Sequence, residues 1–213
     1  SMHSYWSGAD TKKNAENYFS DKYSKYSVAA TEYCQMTDDK NTGVYDLIAK
    51  EKNGTNGTSI KYGVAMANTI VDDLTIMNAN EWDWWTACSY GTYTDGLIYL
   101  DEDNHENLDF SKRYYCLGNF SKFIKEGAVR VACSSGVKNV RSVAFVNEDN
   151  TVVTVYVNNN DKKAYTTIDC EGDYAVYTTD RDNDIAKTDF GKAKKVKVSL
   201  PASSVVTVVY EAK

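Results

Sequence analysis

The sequence predicts an α/β part followed by an all-β part, and three observations lead to this fold class. Over the first 126 residues, short apolar runs alternate with amphipathic segments, a pattern typical of parallel strands joined by crossover helices. After Gly127 the chain changes to β-branched runs of alternating polarity, separated by Asn, Asp and Gly clusters. The length of 213 residues suits one large domain or two small ones. We therefore predict an α/β domain over residues 1–126 and an antiparallel β-sandwich over residues 127–213.

Helices and strands alternate in the predicted α/β part. Its helical segments carry apolar side chains at spacings of three and four residues, whereas its strands are short apolar runs bounded by polar sequence. The helices are predicted at residues 11–26, 60–77 and 112–125, and the strands at residues 27–36 and 81–88 with a short extension at 96–100. Gly127 is predicted to cap the third helix.

Seven β-branched runs follow in the predicted sandwich. Much of their sequence alternates between apolar and polar side chains, as in antiparallel strands that bury one face. The predicted strands are residues 129–132, 140–147, 151–157, 164–169, 174–179, 195–200 and 205–210. The turn at residues 148–150 is expected to join two of them as a hairpin.

Charge and hydropathy exclude several classes of partner. Acidic and basic residues are scattered along the chain, with a formal net charge of −6 and a pI near 5.0. A nucleic-acid groove or an anionic membrane would require clustered positive charge, so we predict no nucleic acid and no membrane as partner. No apolar run approaches the length that crosses a bilayer, and residues 1–3 lack the pattern of an export signal.

The cysteines point to neither a metal site nor a disulfide framework. There are five of them, so one stays unpaired whatever the connectivity, and their spacing matches no paired metal-ligand motif. We read them as buried thiols and predict no cofactor and no metal. The five are Cys34, Cys88, Cys116, Cys133 and Cys170.

The first candidate for chemistry is Glu32, which lies towards the end of the predicted strand at residues 27–36. In folds built from parallel strands and crossover helices, functional groups lie at the carboxyl ends of the strands. The alternative is that Glu32 marks a strand end in solvent and has no function. The chain also contains 17 Tyr and 4 Trp, and flat, half-polar side chains of this kind suit a ligand such as a sugar.

Five stretches of the sequence follow the order of motifs in one known family. They are His3-Ser4-Tyr5-Trp6, Thr31-Glu32-Tyr33-Cys34, residues 78–85 with 96–98, residues 113–123 with Gly127, and residues 200–207. With these stretches the chain resembles the C-terminal portion of a glycoside hydrolase family 30 enzyme, an O-glycosyl hydrolase. The resemblance implies the C-terminal part of a (β/α)8 TIM barrel, strands six to eight with their helices, followed by an antiparallel β-sandwich side domain.

By this resemblance Glu32 occupies the position of the catalytic nucleophile in a retaining glycosidase. Such an enzyme needs one carboxylate to attack the anomeric carbon and a second, roughly 5 Å away, as acid/base. The family's acid/base lies in an Asn-Glu-Pro motif, and this sequence contains no such tripeptide. We therefore expect a hydrolase as the parent protein and an isolated chain that is inactive or weakly active.

The resemblance also implies a set of substrate-binding residues around Glu32. Tyr5 is expected to hydrogen-bond near the nucleophile, and His3 to line the sugar subsite unless it is only a frayed chain end. One ring among Trp82, Trp84 and Trp85 is expected to stack on the apolar face of a sugar, with Trp85 preferred and Trp82 second. The predicted set of substrate-binding residues is His3, Tyr5, Trp6, Tyr33, Trp82 and Trp85.

Three interpretations of function stay open at this point. The first is a retaining β-glycoside hydrolase that acts by double displacement on xylan, a β-1,6-galactan or a β-1,6-glucan. The second is a non-catalytic carbohydrate-binding sandwich, and the third is an incomplete barrel that needs a complementing chain or a homodimer to cover its strand edges. A polysaccharide or oligosaccharide is the predicted partner, and secretion is expected from the size of that substrate, with an export signal upstream of Ser1.

Overall fold

The computed structural model describes residues 1–38, 40–41, 58–90, 93–101, 103–104 and 106–211. The chain separates into two compact units, Ser1–Ser111 and Lys112–Lys213. The first unit combines helices with short strands, and the second is dominated by one antiparallel sheet. The predicted fold class, α/β followed by all-β, is therefore confirmed.

The first unit is built on three parallel strands, β1 (Met2–His3), β2 (Val28–Glu32) and β3 (Ala79–Trp82). They are hydrogen-bonded in the order β1-β2-β3. Helix α1 (Ala9–Tyr23) links β1 to β2, and helix α2 (Ile60–Thr75) precedes β3. Parallel neighbours require such crossover connections, which is what the alternating sequence pattern predicts.

The two helices differ in how much of their surface they bury. Helix α1 is mostly exposed, and Lys12 is its one buried residue. Helix α2 buries most of one side of its length, including Val64, Ile70, Val71 and, unexpectedly for an apolar face, Asp73. The helical periodicity therefore identified both helices. Their buried charged residues, Lys12 on α1 and Asp73 on α2, form an ion pair with each other.

The strand predicted at residues 81–88 is wrong in its extent. The regular pairing covers only β3, and the chain forms a new strand at β4 (Cys88–Tyr90). Between them, the backbone N–H groups of Asp83 and Trp85 donate to the carbonyls of Ala30 and Tyr33 at 2.8 and 2.9 Å. The chain thus stays beside β2 through single hydrogen bonds while it departs from ladder geometry. Strand β4 then pairs with β5 (Ile98–Leu100), which pairs with β6 (Leu108–Phe110).

The second unit begins with helix α3 (Lys112–Ser121) and continues as a six-stranded sheet. The spatial order is β11-β10-β12-β9-β8-β7, and every neighbouring pair is antiparallel. The strands are β7 (Val129–Val131), β8 (Val140–Val146), β9 (Thr151–Asn158), β10 (Ala164–Thr179), β11 (Ala186–Leu200) and β12 (Ser204–Glu211).

Strands β10 and β11 are longer than the sequence predicted. The runs at 164–169 and 174–179 are one strand, and residues 186–194 extend the predicted strand at 195–200. The pairing shifts between Asp169 and Gly172, where Gly172 has φ +125, a conformation that favours glycine. Buried side chains from both sides of this bulge share one core, so the hairpin bends back over the sheet and forms the second layer of the sandwich.

The division between the compact units lies at 111/112, earlier than the boundary predicted at 126/127. Helix α3 is counted with the sandwich because Asn119, which is fully buried, hydrogen-bonds to Thr207 on β12 and to Thr179 on β10. Among the helices that the structure describes, none is long and apolar enough to cross a membrane.

Candidate active site

The candidate site lies at the carboxyl end of the parallel strands in the first unit. Glu32 is the last residue of β2, and its side chain keeps 34% of its surface exposed. His3, at the end of β1, is its partner in the strand register. The topology therefore delivers two polar side chains from neighbouring strands to one edge of the sheet, as predicted for folds of this class.

Two side chains lie close to the Glu32 carboxylate. The hydroxyl of Tyr5 donates a hydrogen bond of 2.9 Å to Oε1 of Glu32. Nδ1 of His3 lies 3.8 Å from the same oxygen. Both partners approach Oε1 rather than Oε2. The structure thus brings Tyr5 and His3 together with Glu32 at this edge of the sheet.

The Tyr5 hydroxyl stays protonated and acts as a hydrogen-bond donor in this setting. Burial, together with hydrogen bonds to Cys34 and Glu32, raises the pKa of Tyr5 far above its ordinary value. The Cys34 sulfur lies 3.7 Å from the hydroxyl, and 3.7 Å from the sulfur of Met36. Tyr5 therefore keeps its proton at neutral pH and can donate it in a hydrogen bond to the carboxylate.

Packed aromatic rings hold the Tyr5 ring in place beside Glu32. The Tyr33 ring stacks on Tyr5, with centroids 5.7 Å apart and an interplanar angle of 29°. The Tyr33 ring also contacts the rings of Trp82 and Trp84, with centroids 6.0 and 5.8 Å apart. Tyr33 itself is only 1% exposed, so its ring positions neighbouring rings instead of offering a surface to a ligand.

The tryptophans take different roles. Trp85 is 55% exposed, whereas Trp82 and Trp84 are half-buried and face each other at 6.3 Å. The indole N–H of Trp84 donates to the carbonyl of Asp95 at 2.6 Å. Trp85 is therefore more exposed than Trp82 and Trp84.

Trp6 lies on the rim of the site. It is 51% exposed, has a positive φ of 50, and its ring is 5.7 Å from that of Tyr5. Its indole N–H donates to Asp38 at 3.3 Å, and its carbonyl accepts a bond of 2.7 Å from Asn41. The sharp turn after Tyr5 thus points a large ring outward beside the Tyr5–Glu32 pair.

A buried polar network behind the site was not predicted from the sequence. The ammonium of Lys12 lies 2.6 Å from Oδ1 of Asp73, and their side chains are 4% and 0% exposed. The hydroxyl of Ser4 donates to the same oxygen at 2.7 Å, and the indole of Trp82 donates to Oδ2 at 2.9 Å. One carboxylate on α2 therefore fixes α1, the residue before Tyr5, and one ring of the aromatic stack.

Among the residues that the structure describes, the arrangement provides one oriented carboxylate, that of Glu32. Within the part of the chain that the structure describes, the polar side chains in contact with Glu32 are Tyr5 and His3. The described residues also contain no group of three or more His, Cys, Asp and Glu side chains placed to hold a metal ion. Chemically, such a site can supply a nucleophile or an electrostatic partner for positive charge that develops on a ligand.

Two family models match the sequence. The model described as O-Glycosyl hydrolase family 30 matches residues 1–99. The model described as Glycosyl hydrolase family 30 beta sandwich domain matches residues 127–208. The first match includes Glu32 and its neighbours, and the second covers most of the antiparallel sheet.

Solved structures share the fold. A GH30 endoxylanase from Clostridium papyrosolvens C71 is 21% identical with a TM-score of 0.70, and the match covers 94% of this chain and 46% of that one. Xyn30A, a family 30 subfamily 8 xylanase from Clostridium acetobutylicum, is 24% identical with a TM-score of 0.68, and the match covers 88% of this chain and 43% of that one. A conserved exported protein from Bacteroides fragilis is 24% identical with a TM-score of 0.73, and the match covers 97% of this chain and 45% of that one. This chain thus spans less than half the length of these proteins.

Proposed function

The chain belongs to glycoside hydrolase family 30, and from this membership we propose that it carries the nucleophile side of a retaining β-glycosidase active site. Its fold is a partial (β/α) barrel followed by the family's β-sandwich. The proposed nucleophile is Glu32. The observation that carries the proposal is the hydrogen bond from Tyr5 to Oε1 of Glu32 at the carboxyl end of β2.

The geometry suits a carboxylate that attacks an anomeric carbon. A nucleophile must keep one oxygen free and must not rotate away from the sugar. Tyr5 and His3 both approach Oε1, so they restrain the group and leave Oε2 for bond formation. When Oε2 forms the glycosyl ester, the departing leaving group takes the bonding electrons. When water later hydrolyses the ester, the Tyr5 hydroxyl stabilises the carboxylate that is released.

The substrate class we propose is a β-linked glycan. The two xylanases to which the chain is similar in fold act on xylan by their names, and xylan is therefore the first substrate to test, before β-1,6-linked glucan and galactan. We further propose Trp85 and Trp6 as stacking surfaces beside Glu32, because both rings are about half exposed. The parent protein is proposed to be secreted, since polymeric glycans of this kind lie outside the cell.

The acid/base partner is proposed to come from a different polypeptide segment. The sequence contains no Asn-Glu-Pro tripeptide, and Tyr5 and His3 are the polar side chains that contact Glu32 in the described part of the chain. For natural leaving groups, a retaining glycosidase needs that second carboxylate. We therefore propose weak or absent turnover of polymers by this chain alone, with activity restored by a complementing chain that supplies the second carboxylate.

The decisive experiment separates the nucleophile from the acid. A 2-deoxy-2-fluoro-β-xylosyl donor with a dinitrophenyl leaving group needs no acid for the first step, so it can trap the ester on the nucleophile alone. We expect one added sugar per chain by intact mass, located on Glu32 by peptide mapping. Glu32→Gln should abolish the label, and the matched control Glu81→Gln, at an exposed position on β3, should retain it.

Other outcomes would decide against this function. Labelling that persists in Glu32→Gln, or that maps to another carboxylate, would rule out Glu32 as the nucleophile. Vigorous hydrolysis of polymeric xylan by the purified chain would contradict the missing acid/base. A chain that is never labelled and yet is retained by glycan in an affinity gel, equally with and without Glu32→Gln, would favour the non-catalytic binding module.

A further inference from the structure

A second cleft lies on the sandwich unit and shares no residue with the site at Glu32. Its volume is about 400 Å³, and it is bordered by the segment after α3, by the β10–β11 hairpin and by the end of β12. The side chains that matter for its chemistry are Phe123, Tyr174, Tyr177, Lys187, Phe190 and Glu211.

The aromatic rings of this cleft are arranged as a surface rather than as a core. Phe123 and Tyr177 pack at 4.4 Å between centroids with an interplanar angle of 37°. Phe190 is 69% exposed, more than any other large apolar side chain among the described residues. It directly follows Lys187, Thr188 and Asp189, which are polar and exposed. A single exposed ring would need no explanation, but Phe190 lines the same cleft as Phe123 and Tyr177, and grouped apolar side chains at a surface favour contact with a ligand.

The strand register explains why space stays open between the rings. Phe190 pairs with Ala175 on β10, and Lys187 pairs with Tyr177. Ala175 lines the cleft, and its small side chain leaves the area beside the Phe190 ring unfilled. A larger residue at 175 would close this space, because directly paired side chains on one face of a sheet lie within about 5 Å.

The polar groups of the cleft carry both signs of charge. The Lys187 ammonium lies 5.7 Å from the centroid of Tyr177 and 5.5 Å from that of Phe190, so a donor is held between two rings. Glu211 and Asp173, which also line the cleft, supply acceptors. Sugar hydroxyls need donors and acceptors together, and sugar rings present apolar C–H faces to aromatic rings. A polyanion or a polycation would be repelled by one half of this set.

We propose that this cleft is a glycan-binding site of the sandwich unit, which holds a neutral β-linked glycan by stacking on Phe190 and Tyr177 with hydrogen bonds from Lys187 and to Glu211. The class of ligand rests on the proposed function, because a chain of a glycan-hydrolysing family meets glycans as its substrate. The binding itself requires no catalysis and does not involve Glu32.

The test measures retention of the full chain in native gels that contain soluble neutral arabinoxylan or mixed-linkage β-glucan. Phe190→Ala should weaken the affinity for the glycan at least fivefold, Lys187→Ala should weaken it less, and Phe190→Trp should preserve or strengthen it. These side chains are exposed, so circular dichroism and the melting temperature should stay unchanged.

The matched control is Tyr165→Ala on the same hairpin. Tyr165 is 49% exposed and has the Lys197 ammonium 4.3 Å from the centroid of its ring. It therefore offers an aromatic ring beside a lysine, as Phe190 does with Lys187, but it lies outside the cleft. We expect this variant to bind glycan like the unmodified chain. Equal losses in Phe190→Ala and Tyr165→Ala would mean non-specific adhesion and would overturn the proposal.

Two further measurements separate this proposal from its alternatives. If Phe190→Ala changes the sedimentation coefficient, the cleft binds a second copy of the chain and the glycan site is wrong. Labelling of Glu32 by the fluorosugar donor should be unaffected by Phe190→Ala. Labelled Glu32 without retention in the gel would reject only the sandwich site, and retention dependent on Phe190 without labelling would reject only the catalytic proposal.

Discussion

The hydroxyl of Tyr5 and Oε1 of Glu32 are 2.9 Å apart, although Tyr5 lies in the turn after β1 and Glu32 ends β2. The contact follows from register, because His3 on β1 is paired with Glu32 on β2 and Tyr5 lies two residues after His3. A hydrogen bond to a charged acceptor contributes about 1.5 to 3 kcal/mol, roughly twice the contribution of a neutral one. Tyr5 is therefore the first residue to test as the partner that orients the carboxylate.

Replacing Tyr5 by Phe should slow the covalent labelling of Glu32. The variant keeps the ring that stacks on Tyr33 and loses only the hydroxyl. We expect the labelling rate to fall about tenfold, which corresponds to about 1.4 kcal/mol, near the lower limit for a hydrogen bond to a charged group. Tyr26→Phe, at a position that is 64% exposed, is the matched control and should label at the original rate. Equal rates for all three proteins would show that the hydroxyl does not orient Glu32.

Breaking the buried pair of Lys12 and Asp73 should be costly when one partner is removed and cheaper when both are. Lys12→Met or Asp73→Asn alone leaves an uncompensated charge at a position that is at most 4% exposed. Each single change should lower the free energy of unfolding of the first unit by about 3 to 5 kcal/mol.

The double variant Lys12→Met with Asp73→Asn is the informative one. The amide keeps an oxygen that can accept from Trp82 or Ser4, and no buried charge remains. We expect the double variant to be more stable than either single variant in urea unfolding followed by tryptophan fluorescence. Simple addition of the two single losses would mean that Lys12 and Asp73 do not act as a pair.

The sequence predicts polar side chains at strand ends and on exposed faces, but it does not predict charged side chains that are buried. Glu32 could be singled out because a short apolar run ends there, and the order of motifs suggested the role that we propose for it. Lys12 and Asp73 could not, since charged residues are normally assigned to exposed faces. The available signal was position, because Asp73 lies three residues after Ile70 on the buried side of α2.

The hairpin of β10 and β11 shows the same limit in the sandwich. Its inner half, with Ile168, Val196 and Val198, has the apolar alternation of a strand and was predicted. Residues 186–194 are mostly exposed, so no burial pattern marks them, and only pairing with β10 makes them a strand. Backbone hydrogen bonding to a partner distant in sequence leaves no local trace in the side chains.

Asn119 should be required for the attachment of α3 to the sheet. Its side chain donates to Oγ1 of Thr207 at 2.9 Å and accepts from Oγ1 of Thr179 at 2.5 Å, and all three residues are buried. Asn119→Ala removes the acceptor of the Thr179 hydroxyl, while the Thr207 hydroxyl still donates to the backbone carbonyl of residue 119. The free energy of unfolding of the second unit should therefore fall by about 1 to 3 kcal/mol. Ser121→Ala, exposed on the same helix, should change it by less than about 0.5 kcal/mol. Similar values for both variants in urea unfolding would contradict this anchoring role.

The five cysteines are free thiols, and their burial predicts a graded reactivity. Cys88 is exposed, whereas Cys34, Cys116 and Cys170 are buried. With an aromatic disulfide reagent at pH 8, Cys88 should react first, and the three buried thiols should react only on unfolding. Rapid reaction of Cys116 in the native chain, shown by peptide mapping, would contradict the burial.

Burial of the same thiol predicts loss of stability at alkaline pH. Burial raises the pKa of Cys116 above its ordinary value of 9.0, while nearby Lys112 opposes and Asp184 adds to this effect. The folded chain thus holds a proton that the unfolded chain releases above about pH 9, so the stabilisation is complete below that pH and falls as the pH rises further. We expect the urea midpoint to decrease from pH 8.5 to pH 10.5, less steeply in Cys116→Ala than in the control Cys88→Ala. A midpoint that rises over this range, or an identical slope in both variants, would show that Cys116 does not contribute.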